Sequence, residues 1–118
     1  MPASQPGAES PDETLAGKGS GFGPGGLYLL DEPEAALSVH GCLALVARIA
    51  ELVTQGSQFV VATHSPILLA VPGARILQID PDGEIEQVSY DRADPVTLTR
   101  GFLTDPRRFL HHLFSDEG

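Results

Sequence analysis

The chain has 118 residues, 42% of them hydrophobic and 19% charged, which is the composition of one modest globular domain. Its formal net charge of -9 argues against direct binding of nucleic acid or an anionic membrane, because both attract a basic surface. The chain contains neither an apolar run long enough for a membrane span nor a secretion signal, and its single cysteine, Cys42, cannot form an internal disulfide. We therefore expect a cytoplasmic protein.

The first segment, residues 1–22, is rich in glycine and proline and has few large apolar side chains. Such a segment cannot bury enough surface to offset the entropy of ordering it. The composition predicts a flexible N-terminal tail, residues 1–22, followed by one folded region, residues 23–118. A wrongly started or unselected leader is an equally open interpretation of the tail.

The next part of the chain has the pattern of a strand, a helix and a second strand. Residues 27–30 and 59–62 are continuous apolar runs, which are typical of strands buried on both faces of a parallel sheet. Between them, apolar residues recur at helical spacing over residues 39–54. Ser38 is the predicted N-cap of this helix, and Gly56 is the stop signal.

The C-terminal part is predicted to form a hairpin and helices. Residues 75–80 and 84–90 are candidate strands joined by a Pro-Asp-Gly turn, and residues 95–114 are helical with a break near Pro106. In the last helix we expect three apolar side chains to face the core and two arginines to face water: Phe109, Leu110 and Leu113, and Arg107 and Arg108. The fold class is α/β, with a parallel sheet core, a C-terminal β-hairpin and helices.

Polar residues follow both buried strands at their carboxyl ends, the edge where open parallel sheets bind ligands. Asp31 and Glu32 follow the first strand, and His64 follows the second. Adjacent carboxylates suit magnesium chemistry, because one can hold the ion or its water shell while the other takes a proton from an attacking water. Each residue also has a simpler explanation, since acidic pairs often cap helices and a lone histidine is often structural. Their matched positions favour the functional interpretation.

These residues carry a resemblance to a known family. Residues 26–38, G-L-Y-L-L-D-E-P-E-A-A-L-S, resemble the Walker B strand and D-loop of ABC-type ATPases. Residues 58–66, Q-F-V-V-A-T-H-S-P, resemble their switch-histidine segment, and the spacing between the two also agrees. More narrowly, the chain is similar to the small bacterial ATPases grouped with the AAA and ABC-like nucleotidases of repair and defence systems.

The resemblance implies an ATP-binding and ATP-hydrolysing domain that uses ATP and Mg²⁺. Asp31 would bind magnesium, through water, and Glu32 would position or deprotonate the attacking water. His64 would contact the γ-phosphate. Residues 35–38 would touch the opposite subunit of an ATP-sandwiched dimer, formed with a second copy or another ATPase subunit. Ser38, which the resemblance places in the nucleotide site, stands where transporter-type members have aspartate.

One part of the family pattern is missing. The phosphate loop, G-x-x-x-x-G-K-[ST], cradles nucleotide phosphates with backbone N–H groups and a lysine. The nearest candidate, Gly17-Lys18, is followed by Gly19 instead of a hydroxyl residue. The resemblance therefore implies a partial P-loop NTPase fold, the C-terminal half of the domain, with a poorly covered sheet and no activity alone.

Two other functions stay open. The chain could be a non-catalytic interaction module that pairs with a complete ATPase homologue, through the D-loop face or an unpaired apolar strand. More weakly, it could be a magnesium-dependent phosphohydrolase unrelated to ABC enzymes.

Overall fold

The computed structural model describes residues 22–117, with side chains described as far as Ser115. The predicted flexible tail, residues 1–22, lies outside the described residues except for Phe22. The chain divides into two compact units, Met1–Ala74 and Arg75–Gly118.

The first unit contains the predicted strand, helix and strand. Its elements are strand β1 (Leu27–Asp31), a 3₁₀ helix (Pro33–Ala36), helix α1 (Val39–Thr54), strand β2 (Gln58–Ala62) and a second 3₁₀ helix (Leu68–Ala70). The two strands pair in parallel, in a register that runs from Leu27 opposite Gln58 to Asp31 opposite Ala62. The predicted parallel sheet is therefore confirmed.

Helix α1 begins and ends where its signals predicted. The Ser38 hydroxyl accepts a hydrogen bond of 3.0 Å from the backbone N–H of Gly41, which is free of helical partners in the first turn. After the last turn, Gly56 has a φ of 94°, a left-handed conformation that favours glycine. The helix therefore runs from Val39 to Thr54, as predicted.

The core of this unit lies between α1 and one face of the sheet. Leu45 is completely buried, and it packs with other buried side chains of α1 and the second 3₁₀ helix: Cys42, Ile49 and Leu68. Partly buried hydrophobic residues pack against this cluster, among them Phe22, Leu30, Phe59 and Val61. Cys42 is thus a core residue.

The other face of the sheet is exposed. Along β1 and β2, half-buried and exposed residues alternate, and the exposed fractions of Leu27, Leu29 and Val60 are 63%, 72% and 62%. The predicted burial of both faces is therefore wrong, because α1 covers one face only and the pleat sends every second side chain to the other face. This exposure agrees with the expectation of a poorly covered sheet.

Replacing Ser38 with alanine is expected to lower the free energy of unfolding by about 1 kcal/mol, because the Gly41 N–H loses its acceptor. Ser89→Ala is a matched control, since Ser89 precedes a 3₁₀ helix but makes no side-chain cap bond. Urea unfolding followed by far-UV circular dichroism measures both. Equal losses in the two variants would show that the Ser38 cap does not stabilise α1.

The second unit contains the predicted hairpin and helices. Its elements are strands β3 (Ile76–Ile79) and β4 (Ile85–Val88), a 3₁₀ helix (Tyr90–Arg92), and helices α2 (Asp94–Thr104) and α3 (Pro106–Glu117). The strands pair antiparallel, and the Asp80 carboxylate accepts hydrogen bonds from the backbone N–H groups of Asp82 and Glu84 in the turn. Together with the first unit, this arrangement confirms the α/β class and agrees with a partial P-loop NTPase fold.

The predicted orientation of α3 is partly wrong. Phe109 is half-buried and packs edge-to-face on Phe102 of α2, with ring centroids 5.7 Å apart, but Leu110 and Leu113 are exposed. A single neighbouring helix covers a narrow stripe of α3, so residues beside Phe109 stay in solvent. Arg107 and Arg108 are exposed, as predicted. Among residues 22–117, no helix has both the length and the apolar character needed to cross a membrane.

Candidate functional site

The parallel register brings the two predicted strand ends to one edge of the sheet. Asp31 pairs with Ala62 at the ends of β1 and β2, and the Glu32 backbone N–H donates a 2.6 Å hydrogen bond to the Ala62 carbonyl oxygen. His64 lies two residues after the end of β2, and the Nδ1 atom of its ring is 3.7 Å from a carboxylate oxygen of Glu32. Three of the predicted site residues, Asp31, Glu32 and His64, therefore lie at the same edge.

Both members of the close pair are accessible to solvent. The exposed fraction of the side chain is 54% for Glu32 and 80% for His64. A polar contact this exposed contributes little to stability, because water screens it and the side chains lose entropy when they are held together. The arrangement therefore leaves both groups available to a ligand.

Glu32 has an unusual backbone conformation. Its φ is 48° and its ψ is 54°, and it is the one residue other than glycine with a positive φ in the described part of the chain. A residue with a side chain pays about 1–2 kcal/mol for the left-handed region, and strain of this kind is concentrated at functional sites. The turn that carries the carboxylate thus supports a functional role for Glu32.

Glu32→Gly is expected to be more stable than Glu32→Ala by about 1 kcal/mol, because glycine adopts the left-handed conformation without a Cβ contact. Both variants lack the carboxylate, so the comparison isolates the backbone. Thermal or urea unfolding of the two variants measures the difference. Equal stabilities would mean that the turn relaxes and holds no strain at Glu32.

Glu34 also belongs to this edge, although the sequence did not single it out. One carboxylate oxygen accepts a 2.6 Å hydrogen bond from the Thr63 hydroxyl, and the other accepts a 3.0 Å bond from the backbone N–H of His64. Burial raises the pKa of Glu34, but these hydrogen bonds outweigh it and hold the pKa below its ordinary value of 4.5. The sequence offers one signal for this role. Glu34 is a third carboxylate, directly after Pro33, and the hydroxyl residue Thr63 follows 29 residues later.

The lowered pKa of Glu34 predicts a pH dependence. A carboxyl group with a lower pKa in the folded state stabilises the fold above its unfolded pKa, and this contribution is lost as the pH falls through the folded pKa. Wild type should therefore be more stable than Glu34→Gln at neutral pH, and the difference should shrink below a pH of about 4.5. Urea unfolding across this range measures it, and a difference independent of pH would contradict the assignment.

Ser38 lies at the start of α1, where its hydroxyl caps the helix. The structure therefore assigns it a structural contact, and its predicted contact with nucleotide stays a prediction.

The donor set at this edge suits magnesium. In the part of the chain that the structure describes, no group of three or more histidine, cysteine, aspartate or glutamate residues could enclose a metal ion. Protein sites for Mg²⁺ commonly use one or two carboxylates, with water and substrate phosphates as the other ligands. The exposed carboxylates of Asp31 and Glu32 match that requirement.

Comparisons with known proteins point to one class. Residues 14–70 match the family model described as "AAA domain, putative AbiEii toxin, Type IV TA system". The macrolide export ATP-binding/permease protein MacB 1 of Yersinia pestis bv. Antiqua is 33% identical to the chain over 80 residues. The MacB 1 protein of Yersinia pseudotuberculosis serotype I is also 33% identical over 80 residues. In each case the match covers 68% of this chain and 12% of the exporter's length.

Proposed function

Because this chain belongs to the ABC/AAA class of ATPases, we propose that it supplies the water-activating and phosphate-sensing groups of an ATP-hydrolysis site. The observation that carries the proposal is the 3.7 Å approach of His64 to Glu32 at the shared carboxyl edge of β1 and β2. We also propose that the protein is cytoplasmic, as expected from the sequence.

Each residue at the edge has a proposed part in hydrolysis. Asp31 would hold Mg²⁺ through water, and the bound ion would neutralise phosphate charge. Glu32 orients the attacking water and accepts its proton, for which its exposed carboxylate is suitably placed. His64 donates a hydrogen bond to the γ-phosphate. Because His64 lies beside Glu32, this bond connects recognition of the nucleotide to the position of the general base, Glu32. Ser38 remains a candidate nucleotide contact next to the capped end of α1.

The groups that bind the nucleotide phosphates have to be supplied by another polypeptide segment. The printed sequence contains no G-x-x-x-x-G-K-[ST] pattern, and without backbone N–H donors and a lysine the nucleotide phosphates lose their main binding groups. We therefore propose that hydrolysis requires a polypeptide segment that carries a phosphate loop, and that this chain alone does not turn over ATP.

The test adds the missing segment. Calorimetric titration with Mg²⁺ and ATP, with a phosphate-release assay on the same sample, is performed on the purified chain. It is then repeated after addition of a separate polypeptide that carries a G-x-x-x-x-G-K-[ST] phosphate loop, the phosphate-loop segment, and this combination is the reconstituted mixture. Turnover only in the mixture supports the proposal. Turnover by the chain alone would show that the phosphate loop is not needed.

A second candidate function is supported by the exposed apolar face of β1 and β2. Leu27, Leu29 and Val60 present large hydrophobic side chains to solvent, and such surfaces commonly mark contacts with other proteins. In this alternative the chain is a non-catalytic module that pairs with a complete ATPase homologue. If a Glu32→Ala, His64→Ala double variant binds a complete ATPase homologue as tightly as wild type does, the module is favoured over the catalytic role.

A further inference from the structure

The Glu34 carboxylate connects the turn after β1 to the loop after β2. Its Oε1 atom accepts from the Thr63 hydroxyl at 2.6 Å, and its Oε2 atom accepts from the His64 backbone N–H at 3.0 Å. The same Thr63 oxygen accepts a 2.9 Å hydrogen bond from the Ser65 backbone N–H. Thr63 and His64 are thus bonded directly to the Glu34 side chain, and Ser65 is joined to it through the Thr63 hydroxyl.

Residues 63–65 have no regular secondary structure, although Ser65 caps the turn into the second 3₁₀ helix by accepting from the backbone N–H groups of Ile67 and Leu68. The His64 ring is 80% exposed, and packing therefore does little to fix it. Hydrogen bonds that involve a charged partner are stronger than neutral ones. The Glu34 bridge is therefore a direct side-chain link from the turn after β1 to the backbone of His64.

We propose that Glu34 is a positioning residue, whose two-oxygen bridge to Thr63 and His64 keeps the His64 ring beside the Glu32 carboxylate. The inference rests on the proposed function for its catalytic consequence, but the positioning itself concerns the free chain. Both oxygens of Glu34 are used as acceptors. Glutamine retains one acceptor and sets an N–H group against the other donor, so it cannot form the same bridge.

The geometry also predicts which substitution at Thr63 is tolerated. Thr63→Val removes the hydroxyl and keeps a branched side chain of similar size, so it breaks both the bond to Glu34 and the bond from Ser65. Thr63→Ser retains the hydroxyl and should restore the bridge. A purely steric role for Thr63 would give the opposite order, because valine resembles threonine in shape more closely than serine does.

The positioning is tested by nuclear magnetic resonance on the full chain without nucleotide. In wild type we expect a protected His64 amide and a nuclear Overhauser contact between the His64 ring and the Glu32 side chain. In Glu34→Gln and Thr63→Val, His64 amide exchange should be faster by about 10-fold or more, and the ring contact should be lost. Thr63→Ser should behave as wild type, and so should Glu86→Gln, a matched substitution on an exposed strand.

Unchanged exchange and an unchanged ring contact in Glu34→Gln would overturn the proposal, as would equal effects from Glu86→Gln. If Glu34→Gln does not fold, the Thr63→Val and Thr63→Ser pair decides, and identical spectra at His64 in that pair would also overturn it.

A kinetic measurement links the positioning to hydrolysis. In the mixture with the phosphate-loop segment, Glu34→Gln should lower kcat by about 10- to 100-fold, the size of effect caused by small misplacements of reacting groups, with little change in KM for ATP. An unchanged kcat would contradict a positioning role. If wild type itself shows no turnover, the proposed function fails, whereas the resonance measurements still decide whether Glu34 positions His64.

Discussion

Replacing Glu32 with glutamine is expected to lower ATP turnover in the reconstituted mixture by about 100- to 10,000-fold, the range for loss of a general base. The amide keeps the size of the side chain and its approach to His64 but cannot accept a proton. Because the loss affects the chemical step, kcat should fall while nucleotide binding changes little. Phosphate release at saturating ATP measures the effect.

Glu51→Gln is a suitable control, because Glu51 is an exposed residue of α1 whose ion pair with Arg48 lies on the helix surface. It should leave turnover within about twofold of wild type, as expected for a substitution away from the site. A Glu32→Gln variant with wild-type turnover would remove this carboxylate from the mechanism and favour the interaction module.

Replacing Leu45 with alanine is expected to lower the free energy of unfolding by about 2–5 kcal/mol, because it leaves a cavity in a completely buried position. Leu45 lies at the centre of the cluster that joins α1 to the sheet. Natural domains are stable by only about 5–15 kcal/mol, and a sheet with one exposed face is expected to be at the low end. The variant should therefore be largely unfolded or much less resistant to urea.

Leu43→Ala provides the matched control on the same helix. Leu43 has an exposed fraction of 51%, so its truncation should change stability by no more than about 0.5 kcal/mol. Urea unfolding monitored by circular dichroism compares both variants with wild type. Similar losses at Leu43 and Leu45 would contradict the location of the core.

The local elements could be predicted from the sequence because their signals are short-range. Helix α1 combines apolar periodicity with a capping serine and a terminal glycine, and these signals agree with its observed bounds, Val39–Thr54. The parallel pairing of β1 and β2 followed from the intervening helix, since parallel strands need a long crossover connection. The C-terminal hairpin followed from its turn residues.

Burial was harder to predict, because it depends on which elements are available to pack on a face. The apolar residues Leu27 and Leu29 indicated a strand covered on both sides, yet the described residues cover only one. Leu110 and Leu113 have helical spacing suited to a core, but both are exposed. Hydrophobic pattern identifies a surface that can be buried and does not identify its partner.

The candidate site could also be predicted in part from the sequence. The sequence indicated Asp31, Glu32 and His64 from their positions after apolar strands, and the register brings these strand ends together. The role of Glu34 could not be predicted, because it depends on hydrogen bonds to Thr63 and His64, which lie 29 and 30 positions further along the chain. The roles of these residues in hydrolysis remain predictions.

We propose that Asp31, Glu32 and His64 act together as one unit on ATP. Phosphate release by the reconstituted mixture is measured for Asp31→Asn, Glu32→Gln, His64→Ala and the triple variant. Groups that act together in catalysis show strongly non-additive losses, so the triple variant should lose about as much activity as Glu32→Gln alone. Losses that multiply across the three positions, or turnover that survives in the triple variant, would show that the three residues do not act as one unit.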